Sequence, residues 1–250
     1  DLDAHAPGRG TGAPALSRRD GVEDVKIIGV RRKIAERMAE AKRRIPHYSY
    51  VEEVDVTALE ELRQHLNEAR GERPKLTILP FLMRALAVAV PDFPQINARF
   101  DDEAGVLHQH RALHLGVATQ TPQGLLVPVI RHAEALDLWQ AAAEIRRLSE
   151  AARAGQAKRE ELTGSTLTVT SLGPLGGIAT TPVINHPETA IVGVNRIVER
   201  PMIRSGMVVP RLLMNLSSSF DHRVVDGYDA ARFIQRVKGL LEQPATLFLT

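Results

Sequence analysis

Near the start of the chain Ile34, Met38 and Ala41 recur at helical spacing, and Pro46 ends that periodicity. Beyond it, Tyr48, Tyr50, Val54 and Val56 fall on one side of an alternating segment, which predicts a strand with one buried face. A helix should follow, with Leu59, Leu62 and Leu66 along one side. Its first residues, Thr57-Ala58-Leu59-Glu60, fit a capping box, in which the Thr hydroxyl and the Glu carboxylate satisfy free backbone N–H groups. Thr77 to Val90 is apolar on almost every side and predicts a helix buried within the domain, with Pro80 tolerated in the first turn. Strands are expected at His114–Thr119 and Leu126–Ile130, then an amphipathic helix over Leu138–Ala152 with Ala141, Ile145, Leu148 and Ala152 on one face. The second half reads mostly as sheet. Leu167 and Val169 alternate with Thr166, Thr168 and Thr170; Ala190–Val194 is a continuous apolar run; Leu212, Met214 and Leu216 alternate with Leu213, Asn215 and Ser217. Ala230, Phe233, Ile234, Val237 and Leu241 mark a closing helix. Strands and helices mixed in this order predict a two-layer α/β domain without internal repeats.

Composition narrows the picture. Residues 1–24 combine Gly8, Gly10, Gly12, Pro7 and Pro14 with mixed charges and no periodicity, the make-up of a flexible linker, so the folded domain is expected over 25–250. No apolar run approaches the ~20 residues of a membrane helix, since even Leu76–Val90 is interrupted by Pro80 and Arg84. Nothing at the N-terminus reads as a signal peptide. A net charge of +2 over 32 basic and 30 acidic side chains is nearly balanced and gives little reason to expect nucleic acid. Cysteine is absent, which removes disulfides, thiolate metal sites and any Cys nucleophile.

The sharpest candidate for chemistry is His222-Arg223-Val224-Val225-Asp226-Gly227, placed between the last strand and the last helix. A histidine at a strand end is rigidly held and suited to general-base work near neutral pH. Asp226 could orient the loop, and Gly227 permits a turn. By itself such a motif is more often a structural loop. His108, His110 and His114 alternate, but no carboxylate or Cys accompanies them at ligand spacing, so a solvated surface is expected and no metal. Gly173-Pro174-Leu175-Gly176-Gly177 lacks the Gly-Lys-Ser/Thr ending of a phosphate loop and reads as a tight turn. Arg18-Arg19, Arg31-Arg32 and Arg43-Arg44 are pairs without aromatic interleaving.

Read with its flank, Ser217-Ser218-Ser219-Phe220-Asp221-His222-Arg223-Val224-Val225-Asp226-Gly227 resembles the signature of the dihydrolipoamide acyltransferases, the catalytic cores of 2-oxoacid dehydrogenase complexes. Further segments match in family order. They are Gly29–Ala35 with Ile45-Pro46-His47, Gly116-Val117-Ala118 with Gly124–Val129, Leu162–Ser165 through Thr170–Gly173, Pro182–Asn185 and Ala190–Val194. The likeness covers essentially all of residues 25–250. Within the family, Tyr50–Thr57, Phe93–Ala98 and Gly173–Ile178 look most like the branched-chain 2-oxoacid dehydrogenase member.

The resemblance implies a chloramphenicol-acetyltransferase-like α/β fold with a mixed sheet, a trimeric building block and a large cubic core. It implies transfer of a branched-chain acyl group between dihydrolipoamide and coenzyme A, the lipoyl group being carried on a separate domain. His222 falls on the family's base, Thr170 on the hydroxyl that stabilises the tetrahedral intermediate, and Asp226 on a structural carboxylate whose expected partner is Arg31. An acetyl-transferring pyruvate dehydrogenase core, or a catalytically silent scaffold, is the alternative. Asp1–His5 resemble the tail of a peripheral-subunit-binding domain, so partnership with the 2-oxoacid dehydrogenase and dihydrolipoamide dehydrogenase components would run through domains upstream. Arg outnumbers Lys 26 to 6, which points to a bacterial cytoplasm, against a mitochondrial matrix in a eukaryote.

Overall fold

The computed structural model describes residues 18–249. Most of the expected linker, with the segment Asp1–His5, lies outside the described residues; residues 18–28 run exposed, without helix or strand. Helix α1 (Gly29–Arg44) buries Ala41 and ends on Lys42, Arg43 and Arg44, cations that suit the negative end of a helix. Strand β1 (His47–Asp55) and helix α2 (Thr57–Glu68) follow. The expected capping box does not form, because Thr57 is already helical. Its hydroxyl donates to Asp55 (2.7 Å) and accepts the Leu212 N–H (2.9 Å), tying helix to sheet, while Glu60 turns to Arg63 (2.6 Å).

Helix α3 (Ile78–Ala89) is the buried helix the apolar run predicts, with Phe81, Leu82, Met83 and Leu86 essentially inaccessible. Each such side chain contributes about 1.5–3 kcal/mol on burial. Strands β2 (Ala98–Asp101) and β3 (Val106–Gln109) form a separate hairpin. The two strands expected at 114–119 and 126–130 each divide, into β4 (Leu115–Val117) and β5 (Thr119–Thr121), then β6 (Gly124–Leu126) and β7 (Val129–Ile130). The division arises because β5 and β6 leave the main sheet to pair with each other, turning at Gly124, whose φ is +126°. Helix α4 (Leu138–Arg153) begins on a capping box that the sequence reading passed over: Asp137 accepts the Gln140 N–H (2.8 Å) and Gln140 accepts the Asp137 N–H (3.0 Å).

Strands β8 (Leu167–Ser171), β9 (Ala190–Arg204) and β10 (Met207–Asp221) precede helix α5 (Gly227–Glu242). β9 and β10 are far longer than expected. They continue as a hairpin beyond the core, where both faces are largely exposed and no alternation marks the strand. The main sheet runs β1-β10-β9-β8-β4-β7. β8 is parallel to both β4 and β9 and the other pairs are antiparallel, so the sheet is mixed. Helix α3 packs between α4 and α5, and α5 lies on β1, which gives the two layers. No helix among the described residues is long and apolar enough to cross a membrane.

Candidate active site

His222 stands immediately past β10, with Asp221 in register with His47 at the start of β1. The His222 backbone N–H donates to Pro46 (3.2 Å), and the N–H groups of Val224 and Val225 return to the Asp221 carbonyl, so the loop closes on itself. The imidazole packs against the Tyr48 ring at 4.5 Å between centroids. Tyr48 is fixed in turn by its hydroxyl, which donates to the Val225 carbonyl (3.1 Å). Burial, together with the charges of Asp226 and Asp229, pushes the Tyr48 phenol up to about 12. Among the described residues, neither ring nitrogen of His222 makes a hydrogen bond within the chain. The ring is therefore oriented through its face and its backbone and left free to handle a proton.

Arg223 is bound as tightly as His222 is free. Its guanidinium grips both oxygens of Asp221 (2.9 and 2.6 Å), a carboxylate with no exposed surface, and donates to Asp102 in the turn after β2. It also lies over the Phe100 ring at 4.5 Å. The Asp221 hydrogen bond raises its pKa further, so it remains a cation. Asp102 accepts a second bond from His186 (2.6 Å). Burial raises the Asp102 carboxyl, but the bonds from His186 and Arg223 outweigh it and hold the group below its ordinary range.

Asp226 occupies the N-cap of α5, but its carboxylate makes no cap hydrogen bond. The expected pair with Arg31 is not formed within the chain. Arg31 is exposed on α1 and lies by the β5–β6 turn, with Nη1 3.5 Å from where a Cβ on Gly124 would stand. Beside His222, the buried carboxylate that an arginine pairs with is Asp221, and the arginine, Arg223, comes from the motif itself.

Thr170 lies on β8 opposite Gly193 of β9, which lies opposite Ser217 of β10. A Cβ at Gly193 would stand 2.6 Å from the Ser217 carbonyl oxygen, so only glycine fits beside Thr170. Among the described residues the Thr170 hydroxyl makes no hydrogen bond within the chain. Leu172, Leu175 and Ile178, just beyond it, are 58%, 90% and 60% exposed. His222 sits five residues past Ser217 along β10. With strands about 4.8 Å apart and a rise of about 3.3 Å per residue, Thr170 and His222 are roughly 19 Å apart at their Cα atoms. The two candidates stand too far apart along one sheet to act together within one chain.

Of the three alternating histidines, His108 and His110 border a cavity of about 450 Å³ with Arg44, Arg99 and Asp102. His114 instead packs edge-on against His132 at 4.8 Å. Asp102, His186 and Tyr48 are site residues that the sequence reading passed over; Asp102 stands 121 positions from Arg223, and no local pattern links them.

Residues 19–249 match the family model described as the 2-oxoacid dehydrogenases acyltransferase (catalytic domain). The chain belongs to this family. Among acyltransferase relatives it is 62% identical to the lipoamide acyltransferase component of the branched-chain alpha-keto acid dehydrogenase complex of Pseudomonas aeruginosa, over 100% of this chain and 60% of that protein. The component of the same name from Pseudomonas putida is 65% identical over 93% of this chain and 55% of that one. The acetyltransferase component of the Staphylococcus aureus pyruvate dehydrogenase complex is 39% identical, over 90% and 52%. The chain thus spans little more than half the length of these relatives. Two solved acyltransferase cores superpose at a TM-score of 0.86 over 94% of this chain and 99% of theirs. One is the Azotobacter vinelandii dihydrolipoamide acetyltransferase, studied for the role of a serine, a histidine and an asparagine in its catalytic mechanism (33% identical). The other is the cubic core of the pyruvate dehydrogenase multienzyme complex (34%). Chloramphenicol acetyltransferase, 16% identical, shares the fold at a TM-score of 0.54 over 87% of this chain and 98% of its own. The expected mixed-sheet acyltransferase fold is therefore the fold of this chain.

Proposed function

We propose that this chain transfers a branched-chain acyl group between dihydrolipoamide and coenzyme A, with His222 of one copy as base and Thr170 of a neighbouring copy as oxyanion donor. The observation that carries the reading is the free imidazole of His222 and the free hydroxyl of Thr170, set about 19 Å apart on one sheet. Each is uncommitted within the chain, and each needs a partner that only a second copy supplies. The serine, histidine and asparagine studied in the Azotobacter enzyme are spaced 52 and 4 residues apart, the spacing of Thr170, His222 and Asp226 here. The exposed Leu172, Leu175 and Ile178 beside Thr170 offer an apolar surface that such an assembly would cover.

In the forward direction the coenzyme A thiol, with an ordinary pKa about 8.5, is mostly protonated at neutral pH. His222 takes its proton as the sulfur attacks the acyl-dihydrolipoamide carbonyl. A new C–S bond forms, and the carbonyl oxygen becomes an oxyanion that the Thr170 hydroxyl stabilises. Collapse breaks the bond to the dihydrolipoamide sulfur, and the His222 imidazolium returns the proton to it. One thioester replaces another. No nucleophile from the protein is required, which suits a chain without cysteine. Asp226 has a structural role at the start of α5 and takes no part in the proton transfer.

The assembly is a homotrimer packed into a cubic core, in a bacterial cytoplasm, meeting lipoyl groups and the two dehydrogenase components through other domains. The branched-chain reading follows the greater likeness, 62% against 39% for the acetyl-transferring relative. Rates with acetyl, succinyl, isobutyryl and isovaleryl coenzyme A, with dihydrolipoamide as acceptor, test it. The branched donors should give the highest kcat/KM; a higher value with acetyl coenzyme A would replace this specificity with that of a pyruvate dehydrogenase core.

A further inference from the structure

We infer that Asp102 is a positioning residue for the His222 base, acting through Arg223; the inference rests on the role proposed for His222. Asp102 lies in the turn of a small hairpin outside the main sheet, yet side chains from three other places converge on it. Arg223 reaches it from the His222 loop, His186 (2.6 Å) from the loop before β9, and Arg44 (3.8 Å) from the end of α1. The hairpin is seated by a backbone bond as well, from the Phe100 N–H to the Pro187 carbonyl (2.8 Å), and by the Phe100 ring beneath the Arg223 guanidinium.

The geometry separates what Asp221 does from what Asp102 does. Asp221 is the last residue of β10, so its bonds hold Arg223 to the end of the strand that the loop leaves. Asp102 is the carboxylate that anchors this arginine to a different part of the fold, and Arg223 is covalently next to His222. A shift of the loop would slide the imidazole along the Tyr48 ring and misdirect the proton transfer. Misplacement by about 1 Å can cost ~10²-fold in rate without touching substrate affinity. Asp102 is nearly buried, and its ionised form is favoured by its partners, so the clamp stays charged throughout the neutral range.

The experiment compares the assembled wild-type core with D102N, D102E, R223Q, H222A and the D102N/R223Q double variant, measuring kcat and KM for coenzyme A and for the acyl donor. The expected result for D102N is a kcat lower by about 10- to 100-fold with both KM values within about twofold, and partial recovery of kcat in D102E. Because D102N and R223Q cut the same contact, the double variant should lose no more than the worse single variant. Wild-type kcat in D102N, or losses that multiply in the double variant, would overturn the inference. If D102N fails to assemble, D102E and R223Q carry the same test: each should lower kcat with KM held, and an unchanged kcat in both overturns it. Full turnover in H222A would instead overturn the catalytic reading beneath it, so the two failures are distinguishable.

Discussion

The two candidate groups, one just past β10 and one on β8, are held in opposite ways. At the His222 end the loop is held by the Asp221–Arg223–Asp102 chain of charges, by the Tyr48 ring and by the Pro46 carbonyl, all from the same chain. At the Thr170 end the hydroxyl stands on the strand itself, beside a glycine that admits no side chain, and the neighbouring surface is exposed and apolar. A base on a loop must be aimed, so it needs several anchors. A hydroxyl on a central strand is already rigid and needs only a substrate brought to it. The contrast also says which end expects company, since bare apolar surface lies at the Thr170 end.

The largest expected effects are on turnover. His222→Ala should lower kcat by about 10²- to 10⁴-fold, the usual worth of a positioned base. Thr170→Ala should lower it by about 10²- to 10³-fold, the cost of one oxyanion donor. Steady-state rates on particles of wild-type size check both. The separation along the sheet is tested by co-expressing the two variants. In mixed trimers, some interfaces pair an intact His222 with an intact Thr170, so activity should exceed the sum of the separate variants. Verified mixed trimers with no recovery would mean that Thr170 is not the oxyanion donor.

Folding stability should then break the symmetry of the two ends. Arg223→Met leaves Asp221, which has no exposed surface, without its cation, and stripping one partner from a buried pair costs about 3–5 kcal/mol. Leu175→Ser at the other end alters a side chain that is 90% exposed within the chain and should change subunit stability by less than about 0.5 kcal/mol. Denaturant unfolding under dissociating conditions measures both, and comparable losses would mean that the two ends are not held differently. For Leu175→Ser, sedimentation should in contrast show weakened assembly.

Much of this contrast was legible in the chain and much was not. Helix α3 and the core faces of β1, β8 and α5 follow from hydrophobic period, and the His222 loop follows from its motif. The outer half of the β9–β10 hairpin left no trace, because a ribbon exposed on both faces needs no alternation. The capping-box pattern at Thr57 does not form, because tertiary bonds to Asp55 and Leu212 claim the hydroxyl, whereas Asp137 and Gln140 form one. The Arg31–Asp226 pair came from likeness to a fold relative. Here the neutralising pair is Arg223–Asp221, and its link to Asp102 joins residues that only the folded chain brings together.

The smallest expected effect is a pH dependence confined to the His222 end. His47 is half-buried at the start of β1, beside Asp221 in register. Its Nδ1–H donates to the Ile45 carbonyl (2.9 Å) and its Nε2 accepts the Ile184 N–H (2.9 Å), a pair of bonds that only the neutral ring can make. Burial lowers its pKa; the Ile45 bond and the Asp221 charge oppose this, and the Lys42 charge assists it. In the unfolded chain the ring titrates near its ordinary value of about 6.5. Above that pH both states are neutral there and the contribution of His47 to stability is fully present. As pH falls below it, the unfolded chain binds a proton before the folded one does, and stability drops until the folded ring is protonated too. In His47→Gln that increment is missing, while every other titrating group remains. The denaturant midpoint of the wild type should therefore fall further than that of the variant between pH 8 and pH 5.5, and parallel falls would show that the ring titrates alike in both states.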